Sequence, residues 1–167
     1  MYGHIYGYSE ATTSVRVEIN DKYYALYRWA TLRRLLGAIM KRPSSLRNLA
    51  TAMDGYRICG QHDEGLQVVP LRYIVGSEGR CNDFDCAFRP LKTHTQQRWF
   101  NVARAYLSGV NLPPVALIRV GDRYYVRDGN HRVSVAKAFG QLDIEALVTE
   151  YQVTPRTMLE GLVAVAA

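Results

Sequence analysis

The hydrophobic pattern of the first third of the chain predicts mainly helix. Residues 1–21 carry a short apolar alternation, which predicts one strand or a flexible arm. Residues 22–53 have a helical spacing instead, so that several large apolar side chains share one helix face. These side chains are Leu32, Leu35, Leu36 and Ile39. A Pro-Ser-Ser sequence at residues 43–45 interrupts the pattern, and either serine is predicted to cap a second short helix that ends at Met53.

The rest of the chain predicts alternating strands and helices. Residues 54–65 are rich in glycine and acidic side chains, which is typical of turns and loops. Gly121 and Asp122 stand between two β-branched runs, where a hairpin turn is expected. The predicted strands cover residues 67–75 with a break at Pro70, 115–120, 123–127 and 144–149, and the predicted helices cover residues 93–108, 133–139 and, with Thr154 as cap, 154–163.

These elements predict an α+β fold, in which a small mixed β-sheet is flanked by helices and preceded by a helical extension. A length of 167 residues suits one domain with such an extension. A composition break near Gly65 divides the chain into an N-terminal arm and basic helical extension (1–65), a compact domain (66–151) and a C-terminal tail (152–167).

The composition is that of an ordinary globular protein, with 48% hydrophobic and 22% charged residues. No apolar run approaches the roughly 18 residues needed to cross a bilayer, and the start of the chain lacks the order of a signal peptide. We therefore expect a cytoplasmic protein without a membrane partner. Cys59, Cys81 and Cys86 form no Cys-x-x-Cys pair, which predicts reduced thiols and no metal site.

Positive charge is concentrated in the predicted helical extension. The formal net charge of the chain is +6, and residues 22–53 contain seven Lys or Arg and no Asp or Glu. Such a surface favours polyanionic partners, and DNA is one candidate. The contacts to DNA would come from Arg33, Arg34, Lys41 and Arg42. An amphipathic helix whose basic side is simply solvated explains the same pattern, so both interpretations stay open.

The segment with the most chemistry is Asp128-Gly129-Asn130-His131-Arg132, between a predicted strand and a predicted helix. A helix N-terminus offers unpaired N–H groups and the positive end of the helix dipole, so it binds phosphate. Gly129 lets a ligand approach the backbone, and the Arg132 guanidinium fits phosphate oxygens. His131 can donate a hydrogen bond or move a proton, and Asp128 can hold Arg132 or share a magnesium ion.

A purely structural interpretation also exists for this segment: a tight turn capped by Asp128 or Asn130, with Arg132 exposed. Glycine, histidine and arginine within four residues of a helix start favour the phosphate site. A carboxylate in the preceding loop, Glu78, is a candidate general base or magnesium ligand; equally, it could only neutralise nearby arginines.

Two stretches resemble the conserved boxes of the ParB/sulfiredoxin superfamily. One is Tyr124-Tyr125-Val126 leading into the turn at residues 128–132, and the other is the strand at residues 69–74 followed by Ser77-Glu78-Gly79-Arg80. The resemblance covers about residues 66–151. It implies a ParB/sulfiredoxin-like fold that binds a nucleoside triphosphate or diphosphate, with or without Mg²⁺. The implied binding residues are Arg80, Asp128, Gly129, Asn130, His131 and Arg132.

The sequence departs from two branches of that superfamily. Asn130 stands where sulfiredoxins carry a cysteine, so we do not expect cysteine repair. Only 16 residues follow Tyr151 in this sequence, so we do not expect the helix-turn-helix region of partition proteins.

The leading function is therefore a nucleotide-dependent phosphotransferase or nucleotide hydrolase, with Glu78 and His131 as its catalytic residues. The alternative is a regulatory protein that binds nucleotide or DNA without chemistry. A nuclease ranks last, and a second copy of the chain is a further candidate partner.

Overall fold

The computed structural model describes residues 6–40 and 44–157, of which residues 6–12 are described by their backbone alone. Four helices and six strands lie within these residues. The helices are α1 (Tyr6–Ile39), α2 (Leu49–Ala52), α3 (Gln96–Leu107) and α4 (Asn130–Ala138). The strands are β1 (Arg47–Asn48), β2 (Tyr56–Pro70), β3 (Ile74–Ser77), β4 (Val115–Val120), β5 (Arg123–Asp128) and β6 (Asp143–Pro155).

The strands form one mixed sheet in the order β1-β3-β5-β4-β6-β2. The pairs β1–β3, β3–β5 and β4–β6 are parallel, whereas β4–β5 and β2–β6 are antiparallel. Gly121 turns the β4–β5 hairpin with a φ of 59°, in the left-handed region that glycine adopts without strain. The predicted α+β class, with a mixed sheet, flanking helices and an N-terminal helix, is confirmed.

Two hydrophobic clusters hold the helices in place. One lies between the sheet and α4 and includes Val115, Val126, Val133 and Ala146. The other joins α1, α3 and α4 and is built from Ile19, Tyr23, Trp99, Ala103 and Val135. Within it the Trp99 indole N–H donates a hydrogen bond to Ser134 Oγ at 3.0 Å. This buried bond fixes α3 beside α4, and thereby sets the walls of the cavity described below.

The N-terminal segment is a helix and not the strand or arm that its apolar alternation predicts. From Tyr6 onward it belongs to α1. Ile19 and Tyr23 lie four residues apart, so they share the face that packs against Trp99 on α3. Val17, the middle residue of the alternation, is 52% exposed. Packing of one helix face outweighs the β propensity of the valines.

The second predicted helix is shorter than expected and has a different cap. α2 consists only of Leu49–Ala52, and Asn48 Oδ1 accepts a hydrogen bond from the Ala50 N–H at 2.8 Å. Neither Ser44 nor Ser45 caps it.

β2 begins at Tyr56, inside the stretch predicted to be loop. It pairs with β6 along its whole length, from Tyr56 opposite Pro155 to Pro70 opposite Asp143. The strand crosses the predicted division of the chain at Gly65, next to a shift in register. Its partner, 70 or more residues away in sequence, supplies the pairing that local composition does not reveal.

β6 extends beyond its predicted end at Thr149. Thr154 and Pro155 therefore lie in a strand, opposite Arg57 and Tyr56, and not at the start of a helix. Residues 158–163 of that predicted helix lie outside the described residues.

Candidate phosphate-binding site

The site begins where β5 passes into α4. Asp128 ends the strand, Gly129 has a φ of 100°, and Asn130 starts the helix. A β-carbon at Gly129 would lie 2.6 Å from Val115 Cγ1, so both the backbone angle and the available space require glycine. No side chain caps α4. The first backbone N–H groups of the helix therefore remain open to a ligand.

Arg132 is fully engaged by the protein itself. Its Nη2 donates to Asp128 Oδ2 at 2.6 Å, and its Nη1 donates to the carbonyl oxygens of Pro113 and Pro114. The side chain of Arg132 is only 15% exposed. The guanidinium thus ties the α4 turn to the segment that enters β4, and it does not reach out toward solvent.

Asn130 and His131 are buried polar residues with unsatisfied atoms. Each is 6% exposed, and neither Asn130 Oδ1 nor His131 Nε2 has a hydrogen-bond partner among the described residues. His131 packs on Phe84 in an edge-to-face arrangement, with 5.3 Å between the ring centroids. Unpartnered buried polar atoms are rare in folded proteins, so this pair marks a place where a further molecule can bind.

Both residues line a cavity of about 320 Å³, which we call the anion cavity. The rest of its lining comes from the α4 turn, from the start of α3, from the loop after β3 and from the segment before β4. The lining residues are Arg80, Arg98, Val102, Leu112, Pro113, Asp128, Gly129, Asn130, His131 and Arg132. Three arginines and one aspartate make the cavity positive, which suits an anionic ligand.

Arg80 is held at the cavity by the loop that follows β3. Ser77 is fully buried, and its Oγ donates to the Val126 carbonyl at 3.0 Å and lies 3.4 Å from the backbone N of Arg80. The Arg80 guanidinium pairs with Asp83 at 3.1 Å, and its side chain is 49% exposed. Arg80 therefore lines the anion cavity, with part of its charge already compensated by Asp83.

Sequence reasoning misses Arg98. It precedes the fixed Trp99 on α3 and is exposed, and its side chain has no ion pair or hydrogen bond with any residue that the structure describes. The sequence offers one weak signal, since His94 and Arg98 lie one helical turn apart. His94 itself does not line the cavity; it lies 3.9 Å from Asp83 and its side chain is 67% exposed.

The surroundings keep His131 neutral. Burial, and then the charges of Arg98 and Arg80, lower the pKa of His131 from 6.5 to about 4, against the weaker opposing effect of nearby carboxylates. A neutral imidazole at pH 7 can accept or donate one hydrogen bond at Nε2, depending on its tautomer. It does not add a positive charge to the anion cavity at that pH.

Glu78 is the predicted site residue that the fold does not bring to the cavity. Its carboxylate lies 3.5 Å from Arg127 Nε and is 46% exposed. Arg127 in turn donates to the Tyr151 hydroxyl at 2.6 Å. Glu78 is thus part of an exposed ion pair next to the sheet.

Arg33 and Arg34 lie on the exposed end of α1, away from the lining of the anion cavity. Lys41 and Arg42, the other predicted DNA contacts, lie outside the described residues. Across residues 6–40 and 44–157, no three His, Cys, Asp or Glu side chains are grouped so as to hold a metal ion. No helix in the same residues is long and apolar enough to cross a membrane.

A larger cavity of about 520 Å³ adjoins the anion cavity. The two share Leu112, Pro113 and Arg132 as a common wall. Its lining includes apolar side chains such as Tyr106 and Val135 together with the polar groups of Asn111, Gln141, Asp143 and Glu145.

Comparison with known proteins gives a distant likeness to a solved structure. No family model matches the chain, and no curated protein matches it. Among solved structures, sulfiredoxin from Arabidopsis thaliana is similar at 18% identity and a TM-score of 0.38, over 57% of this chain and 93% of that one.

Proposed function

We propose that the protein binds a nucleotide and that the phosphate groups occupy the anion cavity. The observation that carries this proposal is an uncapped helix start at which Asn130 and His131 are 94% buried and hold unpartnered polar atoms. An unpaired buried polar group costs about 1–3 kcal/mol. A ligand recovers that cost by supplying the missing partners, and the open N–H groups of α4 select for an anion.

The charges of the cavity support phosphate as that anion. Arg98 is unpaired among the described residues, and Arg80 is half exposed beside Asp83. The His131 tautomer with its proton on Nε2 presents a donor to a phosphate oxygen, as does the Asn130 amide when its NH₂ group faces the cavity. The set therefore offers side-chain and backbone donors from three segments of the chain.

The nucleoside would lie in the adjoining cavity. Apolar side chains such as Tyr106 and Val135 suit a base or a ribose face, while Asp143 and Glu145 can accept hydrogen bonds from hydroxyl or amino groups. Arg132 lines both cavities and ties the α4 turn to the segment before β4. The sequence resemblance to the ParB/sulfiredoxin superfamily points to the same class of ligand.

Phosphoryl transfer or nucleotide hydrolysis remains part of the proposal, with one change of residue. Glu78 lies against Arg127, whereas Asp128 lines the anion cavity with its side chain 68% exposed. Asp128 is therefore the carboxylate we assign as base or as magnesium contact. His131 would hydrogen bond to the reacting phosphate.

Calorimetric titration of ATP, ADP, CTP and pyrophosphate, each with and without Mg²⁺, tests the binding step. We expect a nucleotide to bind more tightly than pyrophosphate, because only the nucleotide fills both cavities. Asn130→Asp places a carboxylate at the phosphate position and should weaken binding about tenfold or more. Asn101→Asp makes the same change on the exposed face of α3, outside both cavities, and should leave affinity unchanged.

Equal affinities of the two variants, or no binding by the wild type, would refute the nucleotide site. Turnover is measured separately, as release of phosphate or formation of a phosphorylated acceptor, with free serine among the acceptors. Tight binding without turnover would leave a regulatory nucleotide-binding protein.

DNA binding is the alternative function. Its support is the exposure of Arg33 and Arg34, neither of which has an ion pair within the described part of the chain. Binding to duplex DNA should then weaken as salt increases, and it should disappear when both arginines are replaced by glutamine.

A further inference from the structure

The end of α1 carries apolar side chains that nothing in the described structure covers. Ala30 is the last buried residue of the helix, and from residue 31 to Ile39 only Gly37 is even partly buried. Trp29 is 63% exposed, Leu36 is 49% exposed and Ile39 is 79% exposed. Large apolar side chains grouped in this way on a surface mark an interaction site.

Their spacing is that of a coiled coil. The residues Ala25, Trp29, Leu32, Leu36 and Ile39, which we call the α1 seam, follow one another at intervals of four, three, four and three. This is the alternation of a and d positions in a heptad repeat, with Trp29 at a and Leu32 at d. The face of α1 that packs against α3 is a different one, since it uses Ile19 and Tyr23.

The surface of the seam has the matching shape. A depression of about 200 Å³ is lined by Ala25, Arg28, Trp29 and Leu32. Residues at these relative positions (first, fourth, fifth and eighth) form the four-residue hole that receives one side chain of a facing helix in a coiled coil. The seam thus offers both the spacing and a preformed hole for a second helix.

Charge decides what kind of helix fits. The positions that flank the seam include Arg28 and Arg33, and residues 22–53 contain no acidic residue. If two copies paired in parallel, Arg28 of one would face Arg33 of the other. If they paired antiparallel with Leu32 opposite Leu36, the two Arg33 side chains would meet. Both arrangements place like charges together, whereas a helix with acidic flanks forms ion pairs.

We propose that the α1 seam docks an amphipathic helix of another protein whose flanking positions carry Asp or Glu. DNA explains the arginines less well, because it would leave Trp29, Leu36 and Ile39 in water. The proposal is independent of nucleotide binding, since none of the seam residues lines the anion cavity.

The test uses the full chain and a synthetic peptide of about four heptads, with leucine at a and d and glutamate at e and g. Trp29 is the reporter, because Trp99 is fully buried and does not sense the surface. We expect a saturable blue shift of the Trp29 emission, and no shift with a peptide that has lysine in place of glutamate. The double substitution Leu32→Glu and Leu36→Glu should abolish binding while circular dichroism remains unchanged.

A matched pair of charge variants tests the geometry. Arg33→Glu flanks the seam and should weaken peptide binding about tenfold, whereas Arg34→Glu, at the position opposite the seam, should change it less than about twofold. No binding at about 1 mM peptide would overturn the proposal. Equal effects of the two variants would also overturn it. So would DNA binding by the protein with no Trp29 shift in either variant. A third contrary outcome is self-association in sedimentation that Leu36→Glu abolishes.

Discussion

The two walls of the anion cavity differ in how their arginines are used. On the α4 wall, Arg132 donates to Asp128 and to the carbonyl oxygens of Pro113 and Pro114. On the α3 wall, Arg98 has no partner among the described residues. The first arginine holds the shape of the turn, and the second is available to a ligand. A turn that resembles a phosphate-binding motif in sequence therefore does not show which nearby arginine is available to an anion.

The difference follows from position. Arg132 lies in the first turn of α4, beside a glycine with positive φ, where the carbonyl groups before β4 need donors. Arg98 lies on an exposed face of α3, so no backbone carbonyl group accepts a hydrogen bond from its guanidinium. Substitutions on the α4 wall should therefore change stability, and substitutions on the α3 wall should change ligand affinity.

The largest effect is expected from Arg132→Ala. The change removes three hydrogen bonds of a charged donor and leaves two carbonyl oxygens without their partner, whereas the exposed Asp128 carboxylate is solvated. We expect a loss of about 3–4 kcal/mol in the free energy of unfolding, mainly from the two carbonyl groups, measured by urea denaturation. A variant of unchanged stability that no longer binds nucleotide would reverse the comparison and make Arg132 a ligand contact.

The next effect is a pH dependence of protein stability, which comes from His131 on the α4 wall. The pKa of His131 is about 4 in the fold and 6.5 in the unfolded chain, so the unfolded state binds more protons between these values. The stability that the neutral imidazole provides is present above pH 6.5 and is lost as the pH falls toward 4.

Between pH 7 and pH 4 the wild type should lose about 3 kcal/mol more stability than His131→Gln, which does not titrate. Urea denaturation at each pH measures the difference. Saturating pyrophosphate should reduce it, because a bound anion offsets the charges of Arg98 and Arg80. Parallel pH profiles of the two proteins would contradict the burial of this imidazole.

Local sequence was sufficient for the turn itself. The sequence predicts a strand, a glycine and then a helix, and the structure has this order, although α4 begins at Asn130 and not at the predicted Val133. The hairpin at Gly121 was predictable for the same reason, because turn geometry depends on neighbouring residues.

The features that sequence could not give depend on distant contacts. Glu78 lies away from the cavity beside Arg127, 49 positions along the chain, and the extent of β2 depends on its pairing with β6. The place of Arg98 depends on the bond between Trp99 and Ser134, which fixes how α3 lies on α4. No pattern along the chain records such contacts.

The smallest of these effects, and the one that separates the walls most clearly, is expected from Arg98→Gln. We expect nucleotide affinity to fall about tenfold, which is about 1.4 kcal/mol, with the free energy of unfolding unchanged because the guanidinium has no partner to lose. Arg104→Gln removes the same charge from α3 outside the anion cavity and controls for net charge. Calorimetric titration gives the affinities and urea denaturation the stabilities. If the two variants bound nucleotide equally well, long-range charge alone would account for any loss, and the α3 wall would have no direct contact with the phosphates.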